Sequence, residues 1–444
     1  MQDLTTGSLT RHLLKTMSFM LVTMVVQTLY VLVDLFWVGR LGTDAVAAVG
    51  ISGNLSFVVL AVSQMLGVGA TTLVSHASGR KDHDGALYAF NQSQVLSMVA
   101  GLVFFAAAML VRAPYAAALS ADAETRRLAE DYLVWFIPAM ALQFGLVAMG
   151  AALRGTGNFK PGMIVSTGTI VINIILAPIL IFGWGTGVAF GVSGAAIATL
   201  ISIAVGLVWV SWYFVDKDAY LRFRFSDWKP RLSLWGEMLT IGLPAGVEFM
   251  LMGAFLVVVY AISRPFGAPA QAGFGVGFRI VQAAFLPVLA LGFAVAPVAG
   301  QNFGARKPER VREAFRVGAS IAAGAMLVVG AGVYVAAPRL VGLFSSDPVV
   351  IHTGVEYLRV VVFSFAFSGV TFVTSSMFQA MGNTLPSLVT SGIRVIVSLV
   401  PAVLLSRVAG FQLLWIWYLS VASIVLQMTI NLLLLRREFT VRLG

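Results

Sequence analysis

Apolar runs of about twenty residues or longer recur from one end of the chain to the other, separated by short polar segments. A helix rising 1.5 Å per residue needs roughly 20 such residues to cross the ~30 Å hydrocarbon core of a bilayer. The pattern predicts twelve helices, near residues 13–38, 45–75, 92–111, 132–153, 162–183, 189–214, 238–263, 270–299, 316–337, 357–379, 387–406 and 412–435. Strands of a membrane barrel would alternate strictly over segments of about ten residues. These runs do not, and they are rich in Leu, Ala, Val and Gly. The expected class is an all-α polytopic membrane protein. The first run, from about Met17 to Val38, is too long for a cleavable signal, and no small-residue cleavage site follows it, so it reads as the first spanning helix.

The polar and glycine positions repeat. GRLGTDAVAAVG at Gly39–Gly50 aligns with RPFGAPAQAGFG at Arg264–Gly275, which sets Gly42 on Gly267 (267 − 42 = 225). The same offset sets Gly67 on Gly292, Gly79 on Gly304, Ser120–Asp122 on Ser345–Asp347, and Tyr132 on Tyr357. It also sets RGTGNFKP at Arg154–Pro161 on QAMGNTLP at Gln379–Pro386. Biased composition inflates similarity between apolar sequences, but it does not keep Gly, Pro and Asn in register. The chain thus reads as two six-helix lobes, 1–215 and 233–444, joined by a basic cytoplasmic connector at 216–232. An even number of helices per lobe gives both the same orientation. A parallel internal repeat of this kind is a transporter architecture, with the substrate path near the bilayer midplane.

Composition agrees. Of 444 residues, 59% are hydrophobic and 11% charged, and the mean hydropathy is +0.91. That is too little polar surface to cover a soluble protein of this size. Cysteine is absent, which excludes disulfides, thiol catalysis and cysteine metal sites. His12, His76, His83 and His352 are scattered and form no HxxxH or HExxH pair. No metal or cofactor is expected, and nothing in the pattern suggests an enzyme. The net charge of +10 reads as the inside bias of loop charges, not as a nucleic-acid footprint, so the large partner is the lipid bilayer. With the N-terminus inside, nineteen Lys and Arg, Lys217 among them, fall on inside segments and eight on outside loops. Both termini are therefore expected in the cytoplasm, in a cell inner (plasma) membrane.

Four ionisable residues interrupt the predicted spans: Asp34, Glu248, Arg279 and Arg394. A charge at mid-bilayer costs at least ~2.5–3.5 kcal/mol on the insertion scale, so such residues face a cavity or a partner. Asp34 could be a salt-bridged or helix-end residue instead of a functional one. Glu248 could pair with Arg279 or Arg394, and the arginines could hold structure. Gln27, Tyr30 and Gln143 could line a cavity, although interhelical hydrogen bonds explain the glutamines equally well.

Read together, these motifs resemble the multidrug and toxic compound extrusion (MATE) family. The residues that carry the resemblance are VDLFWVGRLGTDAVAAVG, LRGTGNFKP and GVSGAAIAT in the first half. In the second they are IGLPAGVEF, GFRIVQAAFLPVLALGFAVAPVAGQNFGA and QAMGNTLP. GLPAGVE looks closest to the prokaryotic DinF-like branch. The resemblance implies two six-helix lobes around a V-shaped central cavity. It implies export of amphipathic, often cationic drugs by a monomer, driven by inward H⁺ or Na⁺, with the cavity exposed to each side in turn. It places a cation-coupling carboxylate at Asp34, with Asn173 and Thr199 beside it, and a second acid near Glu248. The substrate cavity is expected to involve Gln27, Tyr30, Gln143, Glu248, Arg279 and Arg394. The chain departs from the family pattern in two places. Ala177 stands where a further carboxylate is expected, four residues after Asn173, which favours H⁺ over Na⁺ as the coupling ion. Phe19 is the repeat counterpart of Pro244, so helix 1 lacks the proline often found there.

Three rivals are open: a major facilitator transporter, a lipid-linked precursor flippase of the related superfamily, which would carry several basic cavity residues, and a membrane enzyme, which would need a His/Asp or metal constellation near one interface. A major facilitator transporter would need an Asp where TTLVSHASGRK offers Ser75 and His76.

Overall fold

The computed structural model describes residues 2–216 and 219–444; Met1, Lys217 and Asp218 lie outside the described residues, and with Lys217 goes one of the nineteen inside charges. The first half holds α1 (Leu9–Gly39), α2 (Thr43–Gly79), α3 (His83–Leu119), α4 (Ala123–Gly155), α5 (Lys160–Phe182) and α6 (Val192–Trp212). The second holds α7 (Leu232–Ser263), α8 (Ala268–Ala284), α9 (Leu286–Gly304), α10 (Pro308–Gly342), α11 (Pro348–Val361), α12 (Phe365–Ala380), α13 (Leu385–Leu405) and α14 (Leu413–Leu443). Among the described residues, twelve helical segments are long and apolar enough to cross a membrane, α11 and α12 together counting as one.

Helix ends follow capping chemistry. Asp82 caps α3 by accepting from the Gly85 N–H at 2.9 Å. Asp122 caps α4, accepting from the Thr125 N–H at 2.7 Å and from its hydroxyl at 3.1 Å, and these bonds hold the exposed Asp122 carboxyl below the usual carboxylate range. Its repeat counterpart Asp347 caps α11 through the Val349 N–H at 2.7 Å.

The duplication is written into the backbone. Gly42 and Gly267 both precede a helix at positive φ, 112° and 87°. Gly157 and Gly382 (76° and 72°) and Gly185 and Gly410 (77° and 78°) are further pairs at the same offset. Even the non-glycine outliers match: Lys81 and Arg306 adopt φ of 59° and 54° in the turns after α2 and α9. A left-handed conformation costs a side-chain-bearing residue about 1–2 kcal/mol, so its recurrence marks one turn built twice.

One expected helix is two. The sequence predicts a single span over 270–299, but the helix breaks at Phe285 between α8 and α9. Pro287 sits in the first turn of α9 and has no N–H to continue the ladder. Its repeat counterpart is Val62, and α2 runs unbroken through that position.

Compactness divides the chain differently from the linear halves. One unit contains Met1–Asp3 and Phe19–Gly246; the other contains Leu4–Ser18 and Val247–Gly444. The beginning of α1 therefore packs with the second unit, where Leu4, Leu9 and Leu13 join a core that includes Leu291, Val295 and Ala299. The beginning of α7 packs with the first unit, where Met238, Ile241 and Ala245 join Val59, Leu66 and Val68. The crossing points are Phe19 on α1 and, two residues after Pro244, Gly246 on α7.

The segment before each of these helices is tied down within the same unit. In the second unit the Leu4 N–H donates to Gln301 Oε1 at 3.0 Å, and Asn302 Nδ2 donates back to the Leu4 carbonyl at 3.1 Å. Lys307 Nζ donates to the Thr5 carbonyl at 2.9 Å, and Arg310 to the Gly7 carbonyl at 3.1 Å. In the first unit the buried Asn91 and Gln92 of α3 hold the connector. Asn91 donates to the carbonyls of Leu87 (2.9 Å) and Arg222 (3.0 Å), and it accepts from Arg224 N–H and Trp228 Nε1, both at 2.9 Å. Gln92 donates to the Lys229 carbonyl at 2.8 Å and accepts from the Arg231 N–H at 3.0 Å. All four hydrogen-bonding positions of the Asn91 amide are thus used. Asn91→Ala leaves those connector groups without their partner at about 1–3 kcal/mol each when they stay dry. The variant is expected to melt earlier and to be cut by trypsin within 219–231 faster than wild type. Unchanged cleavage and melting would show that the connector is held by other contacts.

Candidate functional site

In the first unit, α1 carries Tyr30 and Asp34 one turn apart, so both side chains share a face. α5 brings Asn173 and α6 brings Thr199, both buried. Thr199 donates its own hydroxyl proton to the Ala195 carbonyl at 3.1 Å. Its oxygen then accepts from Asn173 Nδ2 at 3.3 Å and from the Tyr30 hydroxyl at 3.3 Å. The resemblance grouped Asp34 with Asn173 and Thr199 and assigned Tyr30 to the substrate cavity; in the fold Tyr30 joins Asn173 on the Thr199 hydroxyl. Asp34 adds a carboxylate that acts electrostatically on Tyr30 and on Tyr132 of α4. Its Oδ1 is buried without a hydrogen-bond partner, and among the described residues it forms no ion pair. The salt-bridged alternative for Asp34 therefore has no basic partner here. Tyr132, 4% exposed and stacked on Phe136, belongs to the site. Its only signal in the sequence was its pairing with Tyr357 across the repeat. Ala177 is buried four residues after Asn173 and supplies no oxygen.

In the second unit, Glu248 of α7 faces hydroxyls. Ser387 and Ser391 of α13 lie toward its carboxylate. Ser391 Oγ accepts from Gln427 Nε2 of α14 at 3.0 Å, and Ser387 Oγ lies 2.7 Å from Ser375 Oγ of α12. Glu248 Oε1 is buried without a partner. Among the described residues Glu248 forms no ion pair with either arginine, which leaves the Glu–Arg pairing alternative without support. Arg394 instead lies over the Phe255 ring, 6.0 Å from its centroid. Arg279 on α8 is exposed, and Gln27 on α1 is also exposed. Among the described residues neither Gln27 nor Gln143 has a side-chain hydrogen bond to a neighbouring helix. The serines and Gln427 around Glu248 escaped sequence reading, because serine in a spanning helix ordinarily satisfies itself on its own backbone.

The MatE family model matches the chain twice, over residues 20–179 and 244–404, one copy per half of the repeat. The protein belongs to the MATE family. Among curated relatives, the multidrug export protein MepA of Staphylococcus haemolyticus (strain JCSC1435) is 30% identical over 368 residues, 82% of this chain and 80% of that one. The probable multidrug resistance protein YpnP of Bacillus subtilis (strain 168) is 28% identical over 392 residues, 87% of this chain and 86% of that one. A solved structure described as the outward-facing conformation of a multidrug resistance MATE family transporter superposes with a TM-score of 0.92 at 26% identity, covering 99% of this chain and 98% of that one. Membership fixes the fold as two lobes of a membrane transporter. It also gives the intramembrane acids a context: a costly buried carboxylate here sits in a multidrug efflux transporter.

Proposed function

We propose that this MATE protein exports amphipathic, often cationic small molecules by cation antiport with alternating access. It acts as a monomer in the cell's inner (plasma) membrane, with both termini in the cytoplasm. The proposed coupling ion is H⁺ rather than Na⁺. The observation that carries this reading is Asp34, an intramembrane carboxylate with a buried, unpartnered oxygen and no ion pair among the described residues, on the helix that brings Tyr30 to Asn173 and Thr199. A carboxylate so placed can take up and release a proton reversibly. A sodium ion stripped of its water needs several oxygen ligands in place of its hydration shell. The site offers one carboxylate, and Ala177 stands where a second would help. In the second unit, Glu248 gives a positively charged substrate its counter-charge, an attraction strengthened by low dielectric. The printed names of MepA and YpnP support the multidrug part of the reading.

The decisive experiment is ethidium transport in proteoliposomes under separately imposed H⁺ and Na⁺ gradients. Export is expected with a proton gradient alone. Transport driven by a Na⁺ gradient with the proton gradient collapsed would overturn the ion assignment, and no transport under either gradient would overturn the exporter reading. Ala177→Asp, which adds the missing acid one turn from Asn173, is expected to create a Na⁺ dependence that wild type lacks. A variant that stays indifferent to Na⁺ would show that carboxylate number does not set ion choice here.

A further inference from the structure

The second unit holds an unanswered positive charge. Arg394 lies inside the α13 span, makes no hydrogen bond or ion pair among the described residues, and has the Tyr357 hydroxyl as the titratable group facing it. Arginine keeps its charge at any physiological pH and presents five N–H donors. Among the described residues Glu248 forms no ion pair with Arg394; the hydroxyls set toward that carboxylate are those of Ser387 and Ser391, seven and three residues earlier on α13.

The duplication sharpens the point. In the first unit Tyr132 and Asn173 frame an acid; their counterparts in the second are Tyr357 and Ser398. The counterparts of Asp34 and Thr199 are Val259 and Ile424, both buried and apolar. Where one repeat places a carboxylate, the other has removed it and set a guanidinium one turn from the framing residue. The groups left over nearby are a buried Ser398 hydroxyl and the Trp417 indole N–H, both unpartnered. Trp417 packs edge-on against Tyr357 at 4.8 Å and stacks on Phe274 at 5.2 Å, so the tyrosine that faces the guanidinium is backed by aromatic rings. Phe255, only partly buried, presents its ring face to the guanidinium. Donors with no acceptor, beside an aromatic face, call for an anion on a planar body.

We propose that Arg394 and Phe255 form a subsite in the second unit that accepts the carboxylate of an aromatic amphiphile. The substrate range then extends beyond cations to aromatic acids. Binding at the subsite stands on this geometry alone; only the carriage of the bound compound rests on the exporter reading. The test uses purified protein in phospholipid-depleted detergent and two fluorescent probes with the same ring system, 9-anthracenecarboxylate and uncharged 9-anthracenemethanol. Wild type is expected to prefer the carboxylate by about tenfold in Kd, the value of one charge-assisted hydrogen bond. Arg394→Met, of similar length and uncharged, should collapse that ratio to about one, and Arg394→Lys should keep an intermediate preference. A wild-type ratio near one overturns the proposal even if the methionine variant fails to fold, as does an undiminished ratio in a folded Arg394→Met. Displacement of the carboxylate by phosphatidylglycerol in wild type but not in Arg394→Met would assign the charge to a lipid phosphate and also overturn it. Ethidium export measured in parallel separates the two readings. Discrimination without export keeps the subsite and removes the exporter; export without discrimination does the reverse.

Discussion

Asp34→Asn is expected to bring gradient-driven ethidium export down to the level of empty vesicles while leaving a folded protein in the membrane. The amide matches the carboxyl in size and keeps a hydrogen-bonding oxygen toward its neighbours, but it cannot exchange a proton. The structure makes the stability side of this prediction unusual. An acid that served as half of a salt bridge would, once neutralised, leave a buried base unpaired, and such a break costs about 3–5 kcal/mol. Among the described residues Asp34 has no basic partner, and its Oδ1 is buried and unsatisfied, so its neutralisation removes a charge that costs at least ~2.5 kcal/mol at mid-bilayer. The variant should melt at or above the wild-type temperature. Lost export with an unchanged or raised melting point supports the coupling role. A large fall in melting temperature would show that Asp34 holds structure through a group not seen here, and full export would remove it from the mechanism.

The fold was legible because the bilayer restricts what a chain can do. Backbone groups in hydrocarbon must bond within a helix, so run length alone located the twelve spans. Gly42, Gly157 and their counterparts were legible as a repeat because positive φ admits few other residues, and the same demand arises twice. The break at Phe285 was not read, although Pro287 is plain in the sequence, because hydropathy averages over side chains and is blind to one missing N–H. Nor could the packing of the first stretches of α1 and α7 into the opposite units be read. Leu9, Leu13, Met238 and Ile241 are ordinary apolar residues, and which core receives them depends on contacts hundreds of positions away.

The site was legible in proportion to the cost of its residues. Asp34 and Glu248 stood out because charge is expensive in lipid. Asn173 and Thr199 needed the family resemblance, and Tyr30 gains its place from the hydrogen bond to Thr199. Tyr132 and the serines around Glu248 carry no charge and sit in apolar helices where such residues are common. Their meaning comes only from the carboxylates they face.

Gly242→Ala should be the most destructive single-methyl change in the chain. Gly242 opens the GLPAG stretch of α7, and its spacing to Gly246 is that of a small-residue contact stripe. On α2 the facing positions are Ala61, Met65 and Gly69, also four apart. A Cβ on Gly246 would come within 2.8 Å of the Ala61 carbonyl oxygen, and one on Gly69 within 2.5 Å of the Met238 oxygen. At Gly242 the added carbon would collide still more severely with the Met65 carbonyl oxygen. Every obstacle is backbone, so no rotamer change relieves the clash, and the two helices must separate along their whole line of contact. Overpacking a core side chain costs about 1–3 kcal/mol; a backbone collision that opens three consecutive contacts belongs at or beyond the top of that range. Gly242→Ala is expected to yield little folded protein on extraction, or a melting point far below wild type. Gly236 and Gly253 lie on the same helix with nothing within 4 Å of an added Cβ. Alanine at either should be tolerated and gains up to about 1 kcal/mol of helix propensity. The contrast isolates the contact from the helix: if all three variants express and melt alike, the α2–α7 approach is not what holds the first unit together.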